Sequence, residues 1–125
     1  MSSSYLQKFN QTFDEFVSDL MRVFPSDPEF HMYHAAVKMA TMLDERITQR
    51  VFHDRVVVPY GEQILSRNEA FFLSHNYDDL KKEDESAEHL INKVKNCYME
   101  LNEENREIVW KYFRVLVLLD RKITT

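Results

Sequence analysis

Leu6, Phe9, Phe13, Phe16, Val17, Leu20, Met21 and Phe24 recur at three- and four-residue spacings, which lines them along one face of a helix from about Ser4 to Phe24. The stretch PSDP, Pro25 to Pro28, ends that helix. Asp27 then reads as the cap of a second one, with Pro28 in its first turn, where a missing N–H is harmless. Phe30, Tyr33, Ala36, Val37, Ala40 and Leu43 form the predicted inner face of this second helix. The pattern continues, or restarts near Asp44, through Ile47, Val51 and Phe52. The β-branched run Val56 to Val58 favours a strand by propensity, yet it abuts Pro59 and has no evident partner strand. It is expected to end a helix and turn into Pro59-Tyr60-Gly61.

A short helix with Ile64 and Leu65 should follow, then a further turn with Phe71, Phe72 and Leu73. The polar segment from Ser74 to Ser86 is expected to be a connector inside one domain. The helix after it, about Asp84 to Met99, carries Ala87, Leu90, Ile91, Val94 and Tyr98 on a stripe that continues to Leu101. Asn102 is placed to cap the last helix, with Glu103 and Glu104 at its positive end and Arg121 and Lys122 at its negative end. In this last helix Glu103, Glu107, Lys111 and Arg114 mark a wet stripe, and its continuation lands on Leu118. From Val115 to Leu119 no polar direction remains. That half is either wrapped by the rest of the fold or covered on one flank by another molecule, and burial within the fold is the more common arrangement.

Composition agrees with helices. The chain has 125 residues, 44% of them hydrophobic, with a single Gly and three Pro. That length suits one domain able to bury a core without disulfides or metal, and so few turn formers argue against a sheet-rich fold. The fold expected is all-α: a compact single-domain bundle over residues 1–125, of about five helices, with an apolar C-terminal helix. The single cysteine, Cys97, has no internal partner and suits a reducing compartment. The N-terminus lacks the basic and apolar regions of a signal peptide. The apolar run from Ile108 to Leu119 contains Lys111 and Arg114 and falls short of the ~20 residues of a spanning helix, so the chain is not expected to be an integral membrane protein.

Charge and motifs exclude several chemistries. The net charge is −5, with a basic tail on an acidic body: Lys111, Arg114, Arg121 and Lys122 stand against Asp120 alone after residue 107. General nucleic-acid binding needs a clustered basic surface, which this balance disfavours. Arg46, Arg50 and His53 recur at helical spacing with Arg55 nearby, but Asp44, Glu45 and Asp54 interleave with them and imply a salt-bridged exposed face. With Gly61 as the only glycine, neither a P-loop nor a dinucleotide fingerprint can form. His31 and His34 are three apart, yet neither has a carboxylate three residues earlier as in helical di-metal sites, and a zinc ion needs three or four ligands. The acidic cluster Asp78, Asp79, Glu83, Asp84 and Glu85 lacks the alternation and central Gly of a calcium loop. No catalytic residue, cofactor, metal or small-molecule substrate is assigned.

Three stretches, FNQTFDEFVSDLMRVFPSDPEF, VVVPYGEQILSRNEAFFL and LNEENREIVWKYFRVLVLL, resemble small helical proteins encoded by large double-stranded DNA viruses of algae and their relatives. The resemblance spans essentially the whole chain, and its most distinctive pieces are Val23 to Pro25 and Trp110 to Phe113. That phycodnavirus-like group is largely without assigned activity, so it implies no catalytic residues. It does imply a setting, because such viruses build large icosahedral shells that need small accessory proteins to cement and line them.

The function expected on that basis is structural rather than enzymatic: a minor capsid protein, made in host cytoplasm and located in the virion, whose partners are other capsid or virion proteins. Tyr, Trp and Arg are favoured as interface anchors. Tyr60, Trp110, Tyr112, Arg114, Leu118 and Arg121 are the expected interface residues. The alternative is a virus-encoded regulatory adaptor that binds a host or viral protein through the same C-terminal helix. An enzyme built on His31, His34 and nearby carboxylates is a third and weaker expectation.

Overall fold

The computed structural model describes residues 4–70 and 95–124. Five α-helices are bounded within them: α1 (Ser4–Val23), α2 (Pro28–Leu43), α3 (Ile47–Phe52), α4 (Val58–Leu65) and α5 (Glu103–Thr124). A π-helical turn, His53–Val57, joins α3 to α4, and residues 95–100 are helical. No strand occurs among the described residues, and the fold is an all-α bundle. The expected connector from Ser74 to Ser86, the turn at Phe71 to Leu73, the acidic cluster at Asp78 to Glu85 and the stripe through Ala87, Leu90, Ile91 and Val94 lie outside the described residues.

Helix α1 is the spine, and its predicted face is the one it buries. Leu6, Phe9, Phe16, Val17 and Leu20 are buried, with Phe13 packed partly buried beside them. The first half of α1 meets α3, α4 and the end of α5 in one core of Phe9, Phe52, Tyr60, Ile64, Leu116, Val117 and Leu119. Its second half meets the start of α2, Tyr98 and the start of α5 in another, of Phe16, Val17, Leu20, Phe30, Tyr98 and Val109. Phe13 and Phe113 touch both and make the two cores continuous. Since the end of α5 lies by the start of α1 and the start of α5 by its second half, the two long helices run antiparallel.

Local chemistry sets the boundaries. The Asp27 carboxylate accepts from the Glu29 N–H at 3.0 Å with Pro28 opening α2, which satisfies an N–H that the helix itself leaves bare. Asp44 stops α2 in extended backbone and accepts from the Arg46 N–H at 3.0 Å, so the chain restarts rather than continues into α3. Asn102 caps α5 by accepting from the Asn105 N–H at 2.8 Å, as its spacing predicts.

The valine run differs from expectation. The helix does not end before Pro59; it is continuous from Ile47 to Leu65. Inside an α-helix Pro59 would remove a hydrogen bond and press its ring on the carbonyl four residues back. The π-turn just before it widens the backbone, with the Val58 N–H bonded five residues back to the His53 carbonyl. Gly61 accordingly sits buried inside α4 and not at a turn. The true turn comes after Leu65, where the Arg67 N–H bonds the Ile64 carbonyl and the Asn68 N–H bonds the Gln63 carbonyl, at 3.0 and 2.9 Å. Arg67 holds the left-handed conformation there, φ 52°, a position that usually takes Gly.

Candidate functional site

Helix α2 buries a face that is offset from the one its apolar pattern marks. Only Phe30 is buried. The remaining inward positions are half-buried and largely polar in their contacts: His34 Nε2 donates to Asp14 on α1 at 2.7 Å, and the Thr41 and Thr48 hydroxyls meet at 3.1 Å. The opposite face carries Met32, Met39, Met42 and Leu43, which are 67%, 67%, 84% and 89% exposed, with exposed Ala35 and Ala36 between them. At 3.6 residues per turn Met32, Ala36, Met39 and Leu43 form one straight seam, with Ala35 and Met42 along its flank. The predicted inner positions Ala36 and Leu43 are therefore corrected to the outer face. Tyr33, Val37 and Ala40 line the edge of the buried side.

Helix α5 has the reverse character. Val109, Leu116, Val117, Leu119 and Asp120 are buried against α1 and α4, so the final two turns are wrapped mainly by the fold itself. What reaches solvent is a narrower strip in which Ile108, Val115 and Leu118, each about two-fifths exposed, alternate with Lys111 and Lys122.

The six expected interface residues divide accordingly. Tyr60 is only 4% exposed and belongs to the core, so its ring has no surface to offer a partner. Trp110 is half-buried in an internal cluster: its indole N–H donates to the Tyr98 hydroxyl at 2.9 Å, and the Arg67 guanidinium lies 5.9 Å from its ring. Arg67 also pairs with Glu103 and Glu107. Arg106 sits 4.9 Å over the Tyr98 ring while donating to the Tyr98 and Met99 carbonyls. These contacts tie the turn after α4 to α5 and account for an arginine where backbone geometry favours Gly. Tyr112 is likewise internal; its ring packs on Phe16 at 5.3 Å and its hydroxyl donates to Asp19, which also binds Arg22. Arg114 and Leu118 are exposed. Arg121 is exposed but bonds Glu62 on α4 at 2.9 Å. Burial pushes the Tyr98 and Tyr112 phenols above their ordinary range, and the nearby Glu15 charge adds to the effect on Tyr112. The Arg67 guanidinium is pushed up chiefly by its hydrogen bond to Glu107.

One constellation has no counterpart in the sequence reading. Asp120 is fully buried between α5 and α3, where Gln49 Nε2 donates to one carboxylate oxygen at 2.6 Å and His53 Nδ1 to the other at 2.8 Å. A carboxylate only accepts, so the imidazole carries a proton on Nδ1. His53 thus points inward and not onto the expected exposed basic face, where Arg50 pairs with Asp44 at 3.6 Å. An Asp–His pair orients a base in many enzymes. Here both carboxylate oxygens are engaged in fastening α3 to α5.

The remaining chemical candidates do not assemble. His34 faces α1 while His31 is exposed, so the pair shares no site. No group of three potential metal ligands occurs among the described residues. Cys97 is half-buried against the second core. A hollow between α1 and α5, lined by Phe16, Asp19, Leu20, Leu101, Val109 and Tyr112 among others, has a volume of about 30 Å³, far below the ~300 Å³ at which small-molecule pockets begin. Among the described residues no helix is long and apolar enough to cross a membrane.

No protein-family model matches the chain, and neither the curated proteins nor the solved structures contain a match to it.

Proposed function

We propose that this protein is a non-enzymatic structural protein that docks against other protein subunits, and that its setting is the virion, as a minor capsid protein. The observation that carries the docking reading is the outer seam of α2. Four large apolar side chains, each at least two-thirds exposed, lie along a single helix face that bears no charge between Met32 and Leu43. Scattered apolar residues on a surface are ordinary, but a contiguous apolar strip marks a place where another molecule is held. Methionine suits that role, because its flexible side chain adapts to a partner's shape.

The outer strip of α5 supplies a second contact of different character, with Arg114 and Leu118 as its anchors among the residues expected from sequence. Its lysines and arginine complement an acidic neighbour. The virion setting rests on the sequence resemblance alone. Quantitative mass spectrometry of purified virus particles tests it: a fixed copy number per particle supports an architectural role. Absence from particles, together with retention on a defined host or viral regulatory protein, transfers the same docking faces to an adaptor.

A further inference from the structure

We infer that the occupant of the α2 seam is a second copy of this chain, with the two α2 helices packed antiparallel about a two-fold axis that passes between positions 37 and 38. This deepens the docking reading above and rests on it. Three features of the seam select this occupant.

The spacing comes first. Met32, Ala36, Met39 and Leu43 follow the alternating four- and three-residue intervals of a coiled-coil seam. In an antiparallel pair about that axis Met39 of each copy lies across from Ala36 of the other, and Met32 across from Leu43. A long side chain therefore meets a short one at the centre, in both directions, so the helices approach closely without a void. A parallel pair would set Met39 against Met39 and Ala36 against Ala36, crowding one layer and emptying the next.

Charge is the second feature. From Met32 to Leu43 the seam carries none, so two identical copies meet there without like-charge repulsion. Glu29 opens α2, and antiparallel packing carries the two Glu29 positions to opposite ends of the pair. Parallel packing would bring Glu29 beside Glu29. Antiparallel packing also sets each helix N-terminus beside the other's C-terminus, the favourable arrangement of their dipoles. An interface of this kind is isologous and closes at two subunits.

The third is size. At 16 residues α2 is about 24 Å long, so a single helix pair provides less than the ~800 Å² per partner of a standard stable interface. The dimer should be reversible, with a Kd on the order of micromolar to tens of micromolar.

Sedimentation equilibrium of the full chain across that concentration range should show a monomer–dimer equilibrium. Met39→Lys should weaken it at least tenfold while the far-ultraviolet circular dichroism stays unchanged. To fix the geometry, Ala36→Cys and Met39→Cys are made separately, each with Cys97→Ser, and mixed under mild oxidation. Antiparallel packing gives a crosslinked heterodimer in excess over either homodimer. A dominant Met39→Cys homodimer, a chain that stays monomeric throughout the range, or a dimer unaffected by Met39→Lys overturns the inference. A monomeric chain that is nonetheless held in particles at fixed stoichiometry removes the self-pairing and leaves the docking reading standing, whereas a dimer that never enters particles does the reverse for the virion setting.

Discussion

Helices α2 and α5 carry similar amounts of apolar side chain and use it in opposite ways. Helix α5 lies between α1 and α4, so Leu116 and Val117 have no exposure at all. Helix α2 leans on α1 and α3 through Phe30, a histidine–aspartate contact and a pair of threonines, and leaves its methionines outside. Hydrophobic content alone therefore does not identify an interface. What matters is whether neighbouring elements cover it, and among the described residues none covers the outer face of α2.

That contrast can be broken experimentally. The largest effect should come from Leu116→Ala, which opens a cavity in a close-packed core and should destabilise the fold by about 2–5 kcal/mol in urea titration. If Leu116→Ala is tolerated and Met39→Ala is not, the assignment of core and surface is inverted. Next, Asp120→Ala deprives Gln49 and His53 of their shared acceptor and should cost about 2–3 kcal/mol, since a buried hydrogen bond to a charged group is among the expensive ones to lose. A loss no greater than that of a surface alanine would mean that Asp120 does not fasten α3 to α5.

Tyr112→Phe is a gentler probe of the α1–α5 contact. It removes one hydrogen bond to Asp19 and should cost about 1 kcal/mol at neutral pH. It should also alter the alkaline behaviour. Tyr98 and Tyr112 hold their protons more tightly when folded than the ordinary phenol pKa of about 10. The stability linked to them is full below that value and is lost as pH rises through the higher folded-state values. Removing one of the two should flatten the fall in melting temperature above pH 10; an unchanged slope would mean that Tyr112 is not held away from water. The smallest effect belongs to Met39→Lys, within about 0.5 kcal/mol on the melting of the dilute chain, because an exposed position away from caps and cores tolerates change.

The sequence made the helices legible wherever a side chain acts on its own neighbours. Asp27, Pro28 and Asn102 cap the helices they were expected to cap, and α1 buries the face that its periodicity marks. It misled where packing decides. Periodicity locates an apolar stripe on α2 but not how its neighbours will divide it: Phe30, Tyr33, Val37 and Ala40 stay on the covered side, while Ala36 and Leu43 turn outward. Trp110, Tyr112 and Tyr60 look like anchors by residue type, yet each has its partner inside the molecule. Asp120 was the more informative position: one carboxylate following Leu116, Val117 and Leu119 on a buried face must find donors, and Gln49 and His53, four apart on a helix, supply them. Pro59 looks like an end in the sequence because the π-turn that accommodates it has no local signature.

That π-turn also restricts how the gene can change. It places one more residue between α3 and α4 than a regular helix would need, so deleting a single codon between His53 and Val57 would restore ordinary winding and leave the helix beyond it close to its present rotation. Tyr60 and Ile64 would keep roughly their facing, but the proline ring would strike the carbonyl it now avoids. The extra residue and Pro59 therefore belong together, and a shortened helix should be tolerated only where the proline is replaced as well.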